Sequence, residues 1–333
     1  MKREMKRTVT VGLIGHGGMG NVHSQCYQDL EGKGVKVIAA ADLDKSKREA
    51  AAERHGCRVF VTGMELIEKA DVDLIDICLP SYLHASHAVA AMEKGAAVIT
   101  EKPACLTRTD LAKLLKTQER TGVNCGVAQC LRFWDEYEWL AEAVRRKTYG
   151  RPLSAVFSRI SGGPPPRWFA EWEKSGTAAF DLHIHDVDIL CHIFGKPEVL
   201  SSMAVRDRKG VLQHIFSAYS CAGLPVTAEA GWNYSLSFPF LASYRVNFEK
   251  GDAVFNSAEK PSLVVYPRAG DVFSPEFSSG GAYYRELDYF TSRVREGKKF
   301  TRAALVDVAV SVETVLKEIK MAGGMVSDAK KKS

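Results

Sequence analysis

An apolar, β-branched run, Thr8–Ile14, leads into Gly15-His16-Gly17-Gly18-Met19-Gly20, and a helix-patterned stretch follows over about Met19–Leu30. Strand, glycine turn and helix in that order leave few folds open. Apolar residues on both faces suit a central parallel strand. Glycines 15, 17 and 20 fit G-x-G-x-x-G: Gly17 removes the Cβ that would block a phosphate, and Gly20 lets the helix approach the strand. Gly18 and Met19 lie where the helix opens, and there backbone N–H groups and the helix dipole hold a pyrophosphate. The next strand-like run, Val35–Ala41, ends at Asp42, 22 residues after Gly20. A carboxylate at that position accepts hydrogen bonds from both adenosine ribose hydroxyls. It also repels a 2′-phosphate, so NAD is the expected dinucleotide. Lys45 and Arg48 lie close behind and keep NADP open.

The alternation continues. Leu74–Leu79, Ala97–Thr100 and Asn124–Ala128 read as further buried strands, with helices over Lys45–His55, Leu83–Glu93 and Thr107–Arg120. Strands alternating with helices of this length predict a doubly wound parallel sheet over residues 1–128. Beyond 128 the pattern changes. Helices are expected over Phe133–Lys147, Thr177–Phe194, Tyr283–Arg295 and Ala303–Lys320. Between them Leu153–Ile160, Val199–Val205, Leu212–Ser220, Val226–Asn233, Ser243–Phe248, Ala253–Phe255 and Leu263–Tyr266 read as strands. Successive strands without intervening helices predict an α+β domain over 129–333 with a mostly antiparallel sheet.

Composition excludes several classes. A chain of 333 residues with 46% hydrophobic and 26% charged residues is globular, not disordered, and its length suits two domains. The net charge of +5 resides in the ends, +3 within residues 1–10 and +2 within 326–333. The body is neutral, so no nucleic-acid surface is expected. Eight cysteines without a C-x-x-C pair argue against a zinc site or a disulfide framework, and Cys78, Cys125 and Cys191 are expected as buried free thiols. Residues 1–10 lack the apolar core of a signal peptide, and no apolar run approaches the ~20 residues a bilayer span needs. A cytoplasmic location with no membrane partner is the expectation.

Further motifs are Pro80-Ser81-Tyr82-Leu83-His84, Glu101-Lys102-Pro103, Arg132-Phe133 and Asp181-Leu182-His183-Ile184-His185-Asp186-Val187-Asp188. With the glycine loop, this series resembles the glucose–fructose oxidoreductase / inositol dehydrogenase / MocA family from about residue 8 to 322. The resemblance implies a Rossmann domain, then an α+β domain whose open sheet is often buried in a homodimer or homotetramer. It implies hydride transfer between a nicotinamide and a secondary alcohol of a sugar or cyclitol. Lys102 falls at the carboxyl end of a strand, where open α/β sheets bind ligands, and an ammonium there can orient a hydroxyl. Asp181 and His185, four apart, share a helix face, and histidine is matched to removing a hydroxyl proton. The resemblance makes His185 the acid/base, with Asp181 holding the substrate or the imidazole. It places Leu79, Pro80, His84 and Glu101 with the cofactor, and Trp168, Trp172 and Tyr283 at the substrate, core packing being the other reading of these three aromatics. His84 could instead begin the following helix. The family often has proline soon after Arg132-Phe133, where this chain has Trp134-Asp135, so no role is transferred to Arg132. His185 and His192 share a face, but the nicotinamide itself accepts the electrons, and no metal is expected. The rival activities are an NAD-dependent glycosidase and a non-enzymatic dinucleotide-sensing regulator.

Overall fold

The computed structural model describes residues 7–163, 167–277 and 280–323. Along the chain come β1 (Val9–Ile14), α1 (Gly18–Leu30), β2 (Val35–Ala41), α2 (Lys45–His55), β3 (Arg58–Phe60), α3 (Gly63–Lys69), β4 (Leu74–Ile77), α4 (His84–Lys94), β5 (Ala97–Glu101), α5 (Arg108–Thr121) and β6 (Cys125–Ala128). The strands form one parallel sheet in the order β3-β2-β1-β4-β5-β6. The chain winds from β1 to β2 on one side and resumes at β4 on the other. The carboxyl ends of β1 and β4 therefore open at the switch point where such sheets bind ligands. Val11, Leu13, Ile14, Leu74, Ile75 and Ile77 are buried there, as strands covered on both faces require. The sequence reading did not anticipate β3 and α3. Three residues of an edge strand and seven of a helix are too short to show a periodicity.

A second set follows: α6 (Asp135–Arg145), β7 (Pro152–Gly162), α7 (Trp172–Ser175), α8 (Ile184–Phe194), β8 (Glu198–Arg206), β9 (Leu212–Cys221), β10 (Leu224–Tyr234), β11 (Leu241–Phe248), β12 (Gly251–Asn256) and β13 (Leu263–Pro267). Its sheet runs β13-β12-β11-β7-β10-β9-β8, antiparallel except for the β7–β10 pair. Helices α9 (Ala282–Arg295) and α10 (Leu305–Met321) close the chain.

The described residues gather into two compact units. One holds the chain up to Cys105, Thr109–Phe133 and Gly280–Val308; the other holds Leu106–Arg108, the chain from Trp134 to 277, and the chain from Ala309 onward. The first unit thus extends past 128 and takes α9 back from the far end of the sequence. Two features draw it in. Gly126 of β6 has no Cβ, and one there would lie 2.4 Å from the Phe290 ring of α9. Val127 N–H donates to the Ala303 carbonyl at 2.9 Å, adding a bridge beside β6.

The helix expected over Thr177–Phe194 is two pieces, a π-helical turn over Ala179–His183 and then α8. Buried polar side chains anchor both. Arg159 of β7 donates from Nε and Nη2 to the two carboxylate oxygens of Asp186, at 2.8 and 3.0 Å. Ser311 Oγ of α10 donates to Asp188 at 2.8 Å. His183 Nε2 lies 3.1 Å from the Tyr219 hydroxyl and 3.1 Å from a Glu318 oxygen. Removing one member of a buried pair strands a charge. Asp186→Ala is therefore expected to lower stability by about 3–5 kcal/mol in urea unfolding, with Asp186→Leu/Arg159→Met recovering most of the loss.

Between α1 and α2, Ser24 Oγ lies 2.7 Å from His55 Nε2 and 3.1 Å from His16 Nε2, and accepts from Arg54 at 3.0 Å. Burial, then the charges of Arg54 and His16, depress the His55 pKa from 6.5 to about 4. As pH falls through that window the unfolded chain takes up the proton first, so stability declines between about pH 6.5 and 4. The loss is expected to reach roughly 2 kcal/mol, and His55→Gln should flatten that part of the stability–pH curve.

Candidate active site

The first unit supplies a dinucleotide seat. Gly15 sits at φ +88°, and a Cβ there would lie 2.4 Å from the Cys78 carbonyl oxygen; one on Gly20 would lie 1.9 Å from the Gly15 carbonyl oxygen. Both positions require glycine because the loop folds directly onto β4 and the start of α1. Gly17 and Gly18 differ: a Cβ on either meets nothing within 4 Å. The outer side of the loop is open, and Gly17 as N-cap offers no side chain to the first N–H groups of α1. An open cradle of uncapped N–H groups at the switch point fits a pyrophosphate.

Asp42 is aimed by its own backbone. Its Oδ2 accepts from His16 N–H at 2.8 Å and its Oδ1 from Asp44 N–H at 2.9 Å. Arg48 donates to the carbonyls of Asp42 and Leu43, and Lys45 lies 3.6 Å from Glu49, one helical turn on. The cations that kept NADP open are thus engaged with the chain itself.

Lys102 stands half-buried just past β5, where the spacing placed it. Around it stand several of the other residues named above. His84 begins α4 and is buried, its ring nitrogens 2.7 Å from the Pro103 carbonyl and 2.6 Å from the Leu79 carbonyl. It clamps the loops carrying Leu79-Pro80 and Lys102-Pro103 together. Burial holds its pKa down against those two carbonyls. Glu101 is likewise buried; its Oε2 accepts Lys102 N–H at 3.0 Å and its Oε1 lies 3.2 Å from His23 Nε2. Leu79 packs on the glycine turn, its Cδ2 3.3 Å from a Cβ position on Gly15. Tyr283, half-buried on α9, stays protonated beside Cys130 and through burial. Arg132 is buried, and Phe133 packs on Tyr289 and Phe290.

The second unit holds the other residues. Asp181 lies in the π turn and His185 in the first turn of α8. Both are half-buried, whereas His183, Asp186 and Asp188 are buried on the anchored side. Asp181 and His185 therefore share the accessible side of this segment. A π turn re-aims side chains within a helix and recurs at functional sites. His192 is exposed. Trp168 lies tilted against Phe169 with centroids 3.8 Å apart, and the Trp172 ring lies 6.3 Å from that of Phe180, both tryptophans half-buried. All eight cysteines are free; Cys125 is buried, but Cys78 and Cys191 are only partly so.

Three polar residues that the sequence reading passed over are fully buried in the first unit: His23, Asp76 and Glu286. The available signal was an aspartate inside the otherwise apolar run Leu74–Leu79.

An open glycine cradle on a doubly wound parallel sheet defines a dinucleotide-binding Rossmann architecture. The chain belongs to the GFO/IDH/MocA oxidoreductase family: the family's NAD-binding Rossmann fold matches residues 9–129 and its C-terminal domain matches residues 137–254. It is 29% identical over 203 residues to inositol 2-dehydrogenase 3 of Saccharopolyspora erythraea, covering 61% of this chain and 58% of that one. It is 24% identical over 340 residues to an inositol 2-dehydrogenase of Rhizobium meliloti, covering 95% of this chain and 100% of the relative. Other inositol 2-dehydrogenases match it over 50–57% of their length. A levoglucosan dehydrogenase solved with NADH and levoglucosan has the same fold, with a TM-score of 0.85 at 19% identity over 95% of this chain and 98% of that one.

Each ribose hydrogen bond to a carboxylate contributes about 1.5–3 kcal/mol. Asp42→Ser is expected to weaken NADH binding roughly 10–100-fold in fluorescence titrations while raising NADPH affinity, so that the preference between them narrows or inverts.

Proposed function

We propose that this protein is an NAD-dependent dehydrogenase, or a reductase in the reverse direction, acting on a secondary alcohol of a cyclitol or sugar. The observation that carries this reading is the Asp181–His185 pair on the accessible side of an otherwise buried segment, in a chain that also keeps Lys102 at the carboxyl end of β5. Bound NAD supplies the hydride acceptor. Lys102, which only donates, orients the substrate by donating to the reacting hydroxyl oxygen. His185 takes the hydroxyl proton as the carbon is oxidised and returns it in the reverse direction. Asp181 holds a neighbouring hydroxyl or fixes the imidazole.

Relatives named inositol 2-dehydrogenase and a neighbour solved with levoglucosan support a polyhydroxylated substrate. Trp168 and Trp172 offer ring faces suited to the C–H surfaces of such a molecule. Oligomerisation in the cytoplasm belongs to the same reading. Supporting it, the edge strand β8 leaves Met203 and Val205 exposed, and among the described residues no helix is long and apolar enough to cross a membrane.

The test is reduction of NAD or NADP across inositols, aldoses, amino sugars and sugar acids. NADH is expected with one substrate group, and faster than NADPH. Lys102→Ala and His185→Ala should each lower kcat about 10²–10⁴-fold while leaving NADH affinity within about threefold. Loss of NADH binding in step with kcat would count against those roles. Sugar released from a glycoside without NADH accumulation would establish the glycosidase instead. NADH binding with no turnover on either panel would establish the regulator.

A further inference from the structure

His23, on α1 one turn beyond Gly20, is fully buried, and its ring spans two carboxylates from neighbouring strands. Nδ1 lies 2.8 Å from Asp76 Oδ2 in β4, and Nε2 lies 3.2 Å from Glu101 Oε1 at the end of β5. Tyr27, one turn further along α1, donates its hydroxyl to the same Asp76 oxygen at 2.8 Å. The second oxygen of Glu101 accepts the Lys102 N–H at 3.0 Å. A chain of polar contacts therefore runs from the helix that follows the glycine loop, through one imidazole, to the backbone of Lys102.

We propose that His23 is a positioning residue, which locks the Lys102 end of β5 to the helix whose N-terminus faces the dinucleotide. This rests on the reading of Lys102 as the residue that orients the substrate hydroxyl. Stability alone does not account for such a network. Two carboxylates and an imidazole taken out of water contribute little net stability compared with apolar residues of similar volume, whereas they define geometry strictly. A neutral imidazole has one N–H and can donate to only one of its two carboxylate neighbours; an imidazolium donates to Asp76 and turns its charge toward Glu101, whose Oε1 lies 3.2 Å from Nε2 without a formed hydrogen bond. Burial opposes that charge, and Cys78 and Asp76 beside the ring outweigh it, so the His23 pKa is raised. Glu101 is correspondingly lowered against burial by His23 and then Lys102. Glu286 reaches the same region from α9 with no hydrogen-bond partner for either oxygen among the described residues. Burial, with Glu101 and Asp76 nearby, pushes its pKa up.

His23, Asp76 and Cys78 also bring donor atoms within 4.8 Å of one another, the spacing of a metal site. Among these atoms His23 Nδ1 and Asp76 Oδ2 are at hydrogen-bond distance, 2.8 Å apart. A metal-bound Nδ1 carries no proton, and that bond would be lost.

The experiment uses the whole chain with NADH bound. His23→Ala should lower kcat about 10–100-fold, the scale of an ångström-level misplacement, while NADH affinity stays within about threefold. Asp76→Asn with His23→Gln removes the Asp76–His23 charge pair and rebuilds the contacts around the Glu101 carboxylate: one asparagine N–H donates to the glutamine oxygen, the other to the Tyr27 hydroxyl, which turns to accept, and the glutamine amide donates to Glu101. This double variant should recover most of kcat. The rate at which an amine-reactive reagent labels Lys102, read by mass spectrometry, needs no substrate. It should change in His23→Ala and return in the double variant, while surface lysines stay constant. Unchanged Lys102 labelling in a folded His23→Ala protein would overturn the proposal, whether or not the wild type oxidises a polyol. So would NADH affinity falling in step with kcat, or one equivalent of zinc in the purified wild type that is absent from His23→Ala. If the labelling behaves as expected and the wild type turns over nothing, the positioning role stands and the dehydrogenase reading falls.

Discussion

The first unit depends on the close approach of the Gly15–Gly20 turn to the ends of its central strands. Gly15 N–H donates to the Ala41 carbonyl and Cys78 N–H to the Ile14 carbonyl, each at 2.7 Å, so the turn is hydrogen-bonded to β2 on one side and to β4 on the other. The approach leaves no room for a Cβ on Gly15 or Gly20. Everything that prepares the seat follows from it. The open outer side of Gly17 and Gly18, the direction of α1 and the His16 N–H that aims Asp42 are all consequences of how tightly the turn closes.

In both units, the residues assigned to chemistry stand beside buried polar groups that do none. His185 sits next to Asp186, whose pairing with Arg159 seats the helix on β7; Lys102 follows Glu101, which is engaged by His23. Burying such groups is costly, and it yields directional constraints that apolar contacts cannot supply. Half-buried Asp181 and His185 and buried Asp186, which pairs with Arg159 of β7, lie within six residues of one another. One side therefore holds position while the other stays accessible.

Much of the fold was legible in the sequence because the signals are local and periodic. Thr8–Ile14, Val35–Ala41 and Leu74–Leu79 are apolar enough to be central strands, and the structure pairs them side by side. The short β3 and α3 escaped because neither completes a period. The π turn escaped because the residues of Ala179–His183 are equally compatible with an α-helix, and hydrogen bonds made elsewhere in the unit decide between the two. At the site, glycine spacing and the position of Asp42 pointed to a dinucleotide seat, within the stretch that the family's NAD-binding Rossmann fold matches. His84 and Glu101 read as cofactor contacts by motif, and the structure engages them with protein carbonyls and with His23.

What the sequence alone determined is whatever depends on neighbours along the chain: a glycine where φ is positive, a strand where β-branched residues accumulate, an acid just past a strand's end. What only the tertiary structure decided is the partner, and hence the protonation state and task, of each buried polar side chain. His23 and Asp76 stand 53 residues apart in sequence and 2.8 Å apart in space. α9 packs against β6 of the same unit from far along the sequence, because one missing Cβ leaves room for Phe290. Hydrogen bonding and packing act at contact distance, and contact between distant segments exists only once the chain has folded.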